Sequence, residues 1–144
     1  MKIGFAADHA GYQLKKFLID LLKRKGTEIV DFGTGSTESV DYPDFAHPLA
    51  VAVENKDVDC GIAVCGSGNG INMALNKHRE IRAALCWNEE IAALARKHNN
   101  ANVCSLPARF ISENEAAGIV EKFLSTDFEG GRHQTRIDKI GCKI

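Results

Sequence analysis

The sequence predicts an α/β fold: a single-domain, three-layer α/β/α sandwich around a five-stranded, mostly parallel sheet. Three observations lead there. Short apolar runs alternate with amphipathic stretches from one end of the chain to the other. The run CGIAVC (60–65) is almost wholly apolar, as a parallel strand covered on both faces must be. No repeat, low-complexity stretch or linker interrupts the 144 residues, a length that suits one domain.

KIGFAA (2–7) reads as the first strand. In GYQLKKFLIDLLKRKG (11–26), Leu14, Phe17, Leu18, Leu21 and Leu22 share one helical face. Lys23, Arg24 and Lys25 then suit the negative end of the helix dipole, and Gly26 is placed to end the helix. TEIVDFG (27–33) reads as a strand and TGSTESVDYP (34–43) as a polar loop. Pro43 fits the first turn of a helix running to about Asn55. After the third strand (60–65) come a short helix (71–78) and a strand, IRAALCW (81–87). Asn88 can cap a fourth helix, with Glu89 and Glu90 in its first turn and Arg96, Lys97 and His98 in its last. NVCSLP (102–107) is the fifth strand. Ser112 and Glu115 fit a capping box on a helix running to about Leu124. A glycine hinge and a short basic helix, about 130–141, close the chain. The alternation amounts to a Rossmann-like sheet, in which ligands bind beyond the carboxyl ends of the strands.

Composition narrows the chemistry. A net charge of −1 provides no global attraction to nucleic acid or anionic membrane. No apolar run approaches the roughly 20 residues of a membrane span. The opening MKIGFAADHAG turns polar too soon for a signal peptide. Five cysteines (60, 65, 86, 104, 142) with no CxxC pair argue against a disulfide framework or a zinc-thiolate site, and fit reduced thiols in a cytoplasmic setting.

Three chemically rich spots follow strand ends: Asp8-His9, the loop CGSGNG (65–70), and Arg109. The loop lacks the last glycine of a dinucleotide fingerprint, the G-K-[ST] of a P-loop and the arginine of a phosphatase loop; Ile71 stands where that glycine or that arginine would be. Two readings stay open. The glycines can turn backbone N–H groups inward beside a cysteine placed as base or nucleophile. Equally, Cys65 can be a buried strand-end residue before a tight turn. Asp8 alone fits a helix cap, His98 a helix C-terminus, and Asn99, Asn100 and Asn102 turns. Arg132 and Arg136, four apart, share a helical face and with His133 form either a phosphate grip or a solvated basic tail. His47 and His78 have no evident partners.

Taken together and in order, DHAG (8–11), DFGT (31–34), SVDYPDFA (39–46), CGSGNGI (65–71), NK (76–77), IRAA (81–84), ARKHNNAN (95–102) and EGGRHQTR (129–136) resemble the ribose/galactose/allose phosphate isomerase family, in its ribose-5-phosphate isomerase B branch. The resemblance implies an aldose–ketose isomerase with no metal or organic cofactor, acting on a phosphorylated sugar. Members are homodimers, some paired into tetramers, with active sites at the subunit interface, where the C-terminal basic helix packs.

Carried over by position, the resemblance makes Cys65 the base and Ser67 the hydroxyl that helps move the proton between O1 and O2. The amides from Gly66 through Gly68 and Asn69 to Gly70 hold the enediolate. His98 assists ring opening, Asp8 holds sugar hydroxyls, and Tyr42 and Asn99 line the sugar site. His9, Arg109, Arg132 and Arg136 bind the phosphate, some from the partner subunit. One branch of the family places a Glu base directly after the glycine loop; Ile71 cannot serve, which leaves Cys65. Ribose 5-phosphate is the expected substrate. The alternatives are a hexose 6-phosphate and, from another class, a non-enzymatic sugar-phosphate sensor.

Overall fold

The computed structural model describes residues 1–142. The chain runs β1 (Lys2–Ala7), α1 (Tyr12–Arg24), β2 (Glu28–Asp31), α2 (Pro43–Glu54), β3 (Cys60–Cys65), α3 (Asn69–Leu75), β4 (Ala83–Leu85), α4 (Glu89–Asn99), β5 (Val103–Pro107), α5 (Glu113–Ser125) and α6 (Arg132–Ile137). The sheet order is β2-β1-β3-β5-β4 and every pairing is parallel, so the sheet is wholly rather than mostly parallel.

Strand alternation sorts the core into two layers. Ile3, Phe5, Ala7, Ile62 and Val64 face one side, packing with residues of α1, α4 and α5. Ala6, Ala63 and Cys65 face the other, with α2 and α3. On that second face Gly4 and Gly61 lie under Leu49, where a Cβ would meet its methyl groups, so the small residues let α2 sit close.

Several local signals act as the sequence implies. Gly26 ends α1 at φ +84°. The Asn88 side chain accepts from the Ile91 amide, and both bonds of the Ser112–Glu115 capping box form. The differences have local causes. β2 stops at Asp31, whose Oδ1 turns back to accept from the Gly33 amide. α3 begins at Asn69 because Gly68, at φ +76°, serves as its N-cap. β4 starts at Ala83 because the amide before it, on Arg82, bonds the Asn102 side chain. α6 covers only Arg132–Ile137 of the expected 130–141. On α1 the fully buried positions are Leu14, Lys15, Leu18, Ile19 and Leu22; Phe17 and Leu21 are only half-buried.

Candidate active site

The chain turns one way from β1 to β2 and the other way to β3, so the carboxyl ends of β1 and β3 form the switch point of the sheet. Asp8 and Cys65 stand there. The Asp8 amide donates to the Val64 carbonyl (3.2 Å), and the Asp8 carboxylate, 8% exposed, accepts from the Gly11 amide (3.1 Å). It thus shapes the turn into α1, whose N-cap is Gly11. His9 Nδ1 accepts from the Val40 amide at 3.1 Å. The same Nδ1 lies 3.3 Å from the Val40 carbonyl oxygen, to which it donates in the other tautomer.

Cys65 is the last residue of β3 and 4% exposed. The loop beyond it is closely supported. The Arg109 amide donates to the Gly66 carbonyl (3.0 Å), and its guanidinium lies against Gly66, 3.1 Å from where a Cβ would stand. Gly68 is pressed on Leu85 and on the main chain of Leu106. Gly70 lies under the Tyr42 ring, a Cβ there falling 2.5 Å from Tyr42 Cζ. Ser67 Oγ accepts from the Asn69 amide (3.2 Å), leaving its O–H free to donate. With the Asn69 amide taken by Ser67, the next first-turn amides of α3, on Gly70 and Ile71, have no intrahelical acceptor. Ile71, by contrast, is fully buried in the layer with Ala63 and Leu75.

His98, Asn99, Arg132 and Arg136 are not brought to this edge. α4 runs back across the sheet. Its end is tied by Arg82 Nε to the Asn99 and Asn100 carbonyls (3.1 Å each), next to the start of β4. The Gly61 amide, at the beginning of β3, bonds the Asn102 carbonyl. The two clusters therefore lie at opposite edges, separated by the length of β3, about 16 Å at the rise of a parallel strand.

At the amino edge the His98 and His133 rings stack, centroids 4.3 Å apart and planes 11° from parallel. Arg132 and Arg136 are exposed and in no salt bridge among the described residues. His133, 8% exposed, is held below the ordinary histidine range by burial, then by His98 and Arg132; Glu129, 3.6 Å away, opposes this. His133 is thus buried against His98, while the two arginines beside it are exposed. His98, Glu129 and His133 each offer a ligand atom within 4.8 Å of the others. The stacked rings, however, hold their lone pairs in nearly parallel planes, which do not converge on one ion.

Two features were not legible in the sequence. Lys15 is buried although charged. His47 and His78 do have partners: His47 Nδ1 lies 2.8 Å from His78 Nε2, and His78 Nδ1 3.3 Å from Glu54 Oε2, tying α2 to the turn after α3. The helical spacing of Lys15 to Leu18 and Ile19 was the available signal for the first. The histidines, 31 residues apart, offered none.

Comparison with known proteins bears on this arrangement. The model of the Ribose/Galactose Isomerase family matches residues 3–140. Ribose-5-phosphate isomerase B of Escherichia coli (strain K12) is 42% identical over 139 residues, covering 96% of this chain and 93% of that protein. The solved ribose-5-phosphate isomerase B of Clostridium thermocellum superposes with a TM-score of 0.97 at 49% identity, over 98% of this chain and 95% of that one. That of Mycoplasma genitalium, solved with bound ribulose-5-phosphate, superposes with a TM-score of 0.92 at 49% identity, over 96% and 93% of the two chains. With the match running nearly end to end, the chain belongs to the Ribose/Galactose Isomerase family.

Proposed function

We propose that the protein interconverts D-ribose 5-phosphate and D-ribulose 5-phosphate, with a site shared between two copies of the chain. The observation that carries the reading is Cys65 at the switch point, between Asp8 and a glycine loop that leads into the first turn of α3. In the open-chain aldose, Cys65 as thiolate takes the proton from C2. The C2–H electrons form the C1–C2 double bond, and the negative charge on O1 falls to the loop amides from Gly66 to Gly70. A proton passes from O2 to O1 by way of the Ser67 hydroxyl, and Cys65 returns its own proton to C1, giving the ketose. Asp8 and Tyr42 orient the sugar, and His9 and Arg109 hold the phosphate at this edge.

Ring opening by His98, with Asn99 lining the sugar and Arg132 and Arg136 completing the phosphate grip, requires the amino edge of a second copy. A gap the length of a strand within one rigid sheet supports this division. So do Trp87 and Phe110, 52% and 74% exposed, just beyond the carboxyl ends of β4 and β5. Large aromatics in such positions suit an interface. In this arrangement the C-terminal basic segment packs against the partner.

Direct measurement of ketose formation tests the chemistry. Cys65→Ala should lower kcat by about a hundredfold or more while substrate still binds. Mixing tests the sharing. Cys65→Ala and His98→Ala are each expected to be nearly inactive. Co-refolded, half the dimers are mixed, each with one intact site of two, so about a quarter of wild-type activity should return. Near-normal turnover by Cys65→Ala removes the base assignment; no recovery on mixing removes the shared site.

A further inference from the structure

We propose that Lys15 is a positioning residue for substrate binding: it anchors the root of the loop that orients His9 and places Tyr42. Lys15 is 1% exposed, on the buried face of α1. Its ammonium bonds the Asp31 carboxylate and donates to the Thr34 carbonyl at 2.8 Å. Both acceptors lie where the chain leaves β2. Asp31 also holds the Gly33 amide at 2.9 Å. Gly33 and Thr34 are themselves bonded to Ala7, the residue before Asp8: the Ala7 amide donates to the Gly33 carbonyl (2.8 Å), and the Thr34 amide to the Ala7 carbonyl (2.7 Å). From this knot the polar loop leads to Val40, whose amide holds His9 Nδ1, and to Tyr42, whose ring covers Gly70.

Lys15 is buried while its partner Asp31 stays open to solvent, and a pair that must desolvate one ion contributes little net stability compared with apolar residues of the same volume. A methionine at position 15 would fill similar space between Leu14 and Leu18. What it would not do is direct a carbonyl and a carboxylate on a different segment. The ammonium joins both to α1, beside the backbone bonds of Gly33 and Thr34 to Ala7; beyond them the loop is held by the Val40–His9 contact and, at Tyr42, by the start of α2. Without Lys15 the loop root relaxes, Val40 no longer holds His9, and the phosphate contact weakens. The reacting groups on the Cys65 loop stay in place.

The inference rests on the reading of His9 as a phosphate ligand, so His9→Asn is measured alongside. Three full-length variants are compared with wild type for kcat, KM and thermal midpoint: Lys15→Met, Lys15→Met/Asp31→Asn and His9→Asn. The double variant leaves neither charge stranded and should recover most of the stability lost by Lys15→Met. KM for ribose 5-phosphate should rise about tenfold in both Lys15 variants, the loss of one hydrogen bond to a charged group, with kcat within about twofold. A KM that returns to normal in the double variant together with stability overturns the proposal, since Lys15 would then be structural only. If Lys15→Met does not fold, the double variant decides alone, and a normal KM there overturns it. A normal KM in His9→Asn removes the phosphate role of His9 and the inference with it. A raised KM in His9→Asn with normal values in both Lys15 variants overturns the anchor and leaves the phosphate reading intact.

Discussion

Replacing Gly68 by alanine introduces one methyl group where the backbone and its surroundings both resist it. Gly68 has φ +76°, in the left-handed region. A Cβ there would overlap Leu85 Cδ1 and stand 3.1 Å from the Leu106 carbonyl carbon and 3.2 Å from its oxygen. The backbone conformation costs about 1–2 kcal/mol for an L-residue. Leu85 can swing aside, but Leu106 lies in the main chain of β5, so overpacking adds about 1–3 kcal/mol. The stiffer unfolded chain returns about 0.4–1 kcal/mol. The net loss is about 3 kcal/mol, a large part of the roughly 5–15 kcal/mol that holds a domain together. Urea unfolding followed by circular dichroism should show the midpoint falling by about 1.5 M at a slope near 2 kcal/mol per molar. Activity under native conditions should fall as well, because the amides flanking position 68 are among those assigned to the enediolate. A loss under about 1 kcal/mol with unchanged kcat would refute both the packing account and the oxyanion assignment of the loop.

Gly70→Ala is the counterpart, and the opposite pattern is expected. Its Cβ would fall 2.5 Å from Cζ of Tyr42, an exposed ring that can move away. Position 70 lies in α3, where alanine is favoured over glycine by roughly 0.5–1 kcal/mol. Stability should hold or rise slightly while KM increases, and a combined Tyr42→Ala change should add little further. The His133 environment gives a pH dependence. Its folded-state pKa is depressed, so between that value and the ordinary one, about 6.5, the unfolded chain binds more protons. This contribution to stability is complete above about 6.5 and is lost as pH falls through it toward the folded value. Thermal midpoints from pH 8 to 5 should fall more steeply for wild type than for His133→Asn, and parallel curves would contradict this.

Where one residue type in one local pattern determines the outcome, the sequence was legible. Asn88, Ser112 with Glu115, Gly26 and the apolar run 60–65 each formed the structure their chemistry implies. The placement of Asp8, the glycine loop and Arg109 at one edge was legible for the same reason, since every strand end in a parallel sheet points the same way. Strand order was not: β5 lies between β3 and β4, a choice made by packing over long separations. Nor was the setting of His133, whose stack on His98 joins two helices through residues 35 positions apart in sequence. Lys15 illustrates the limit most clearly. Its charge reads as a solvent-facing residue, and only two acceptors supplied by another segment make its burial tolerable.

The strand-length separation of the two clusters also governs how the protein must be handled at low concentration. No loop closure or side-chain rotation spans such a distance, because β3 itself is the spacer. If the site is shared, a dissociated chain lacks the half that holds His98, Asn99, Arg132 and Arg136 and works only on sugar that has already opened in solution. Specific activity should then follow the fraction of associated chains and decline on dilution. An assay at very low enzyme concentration would report the dissociation constant of the assembly rather than the efficiency of the chemistry.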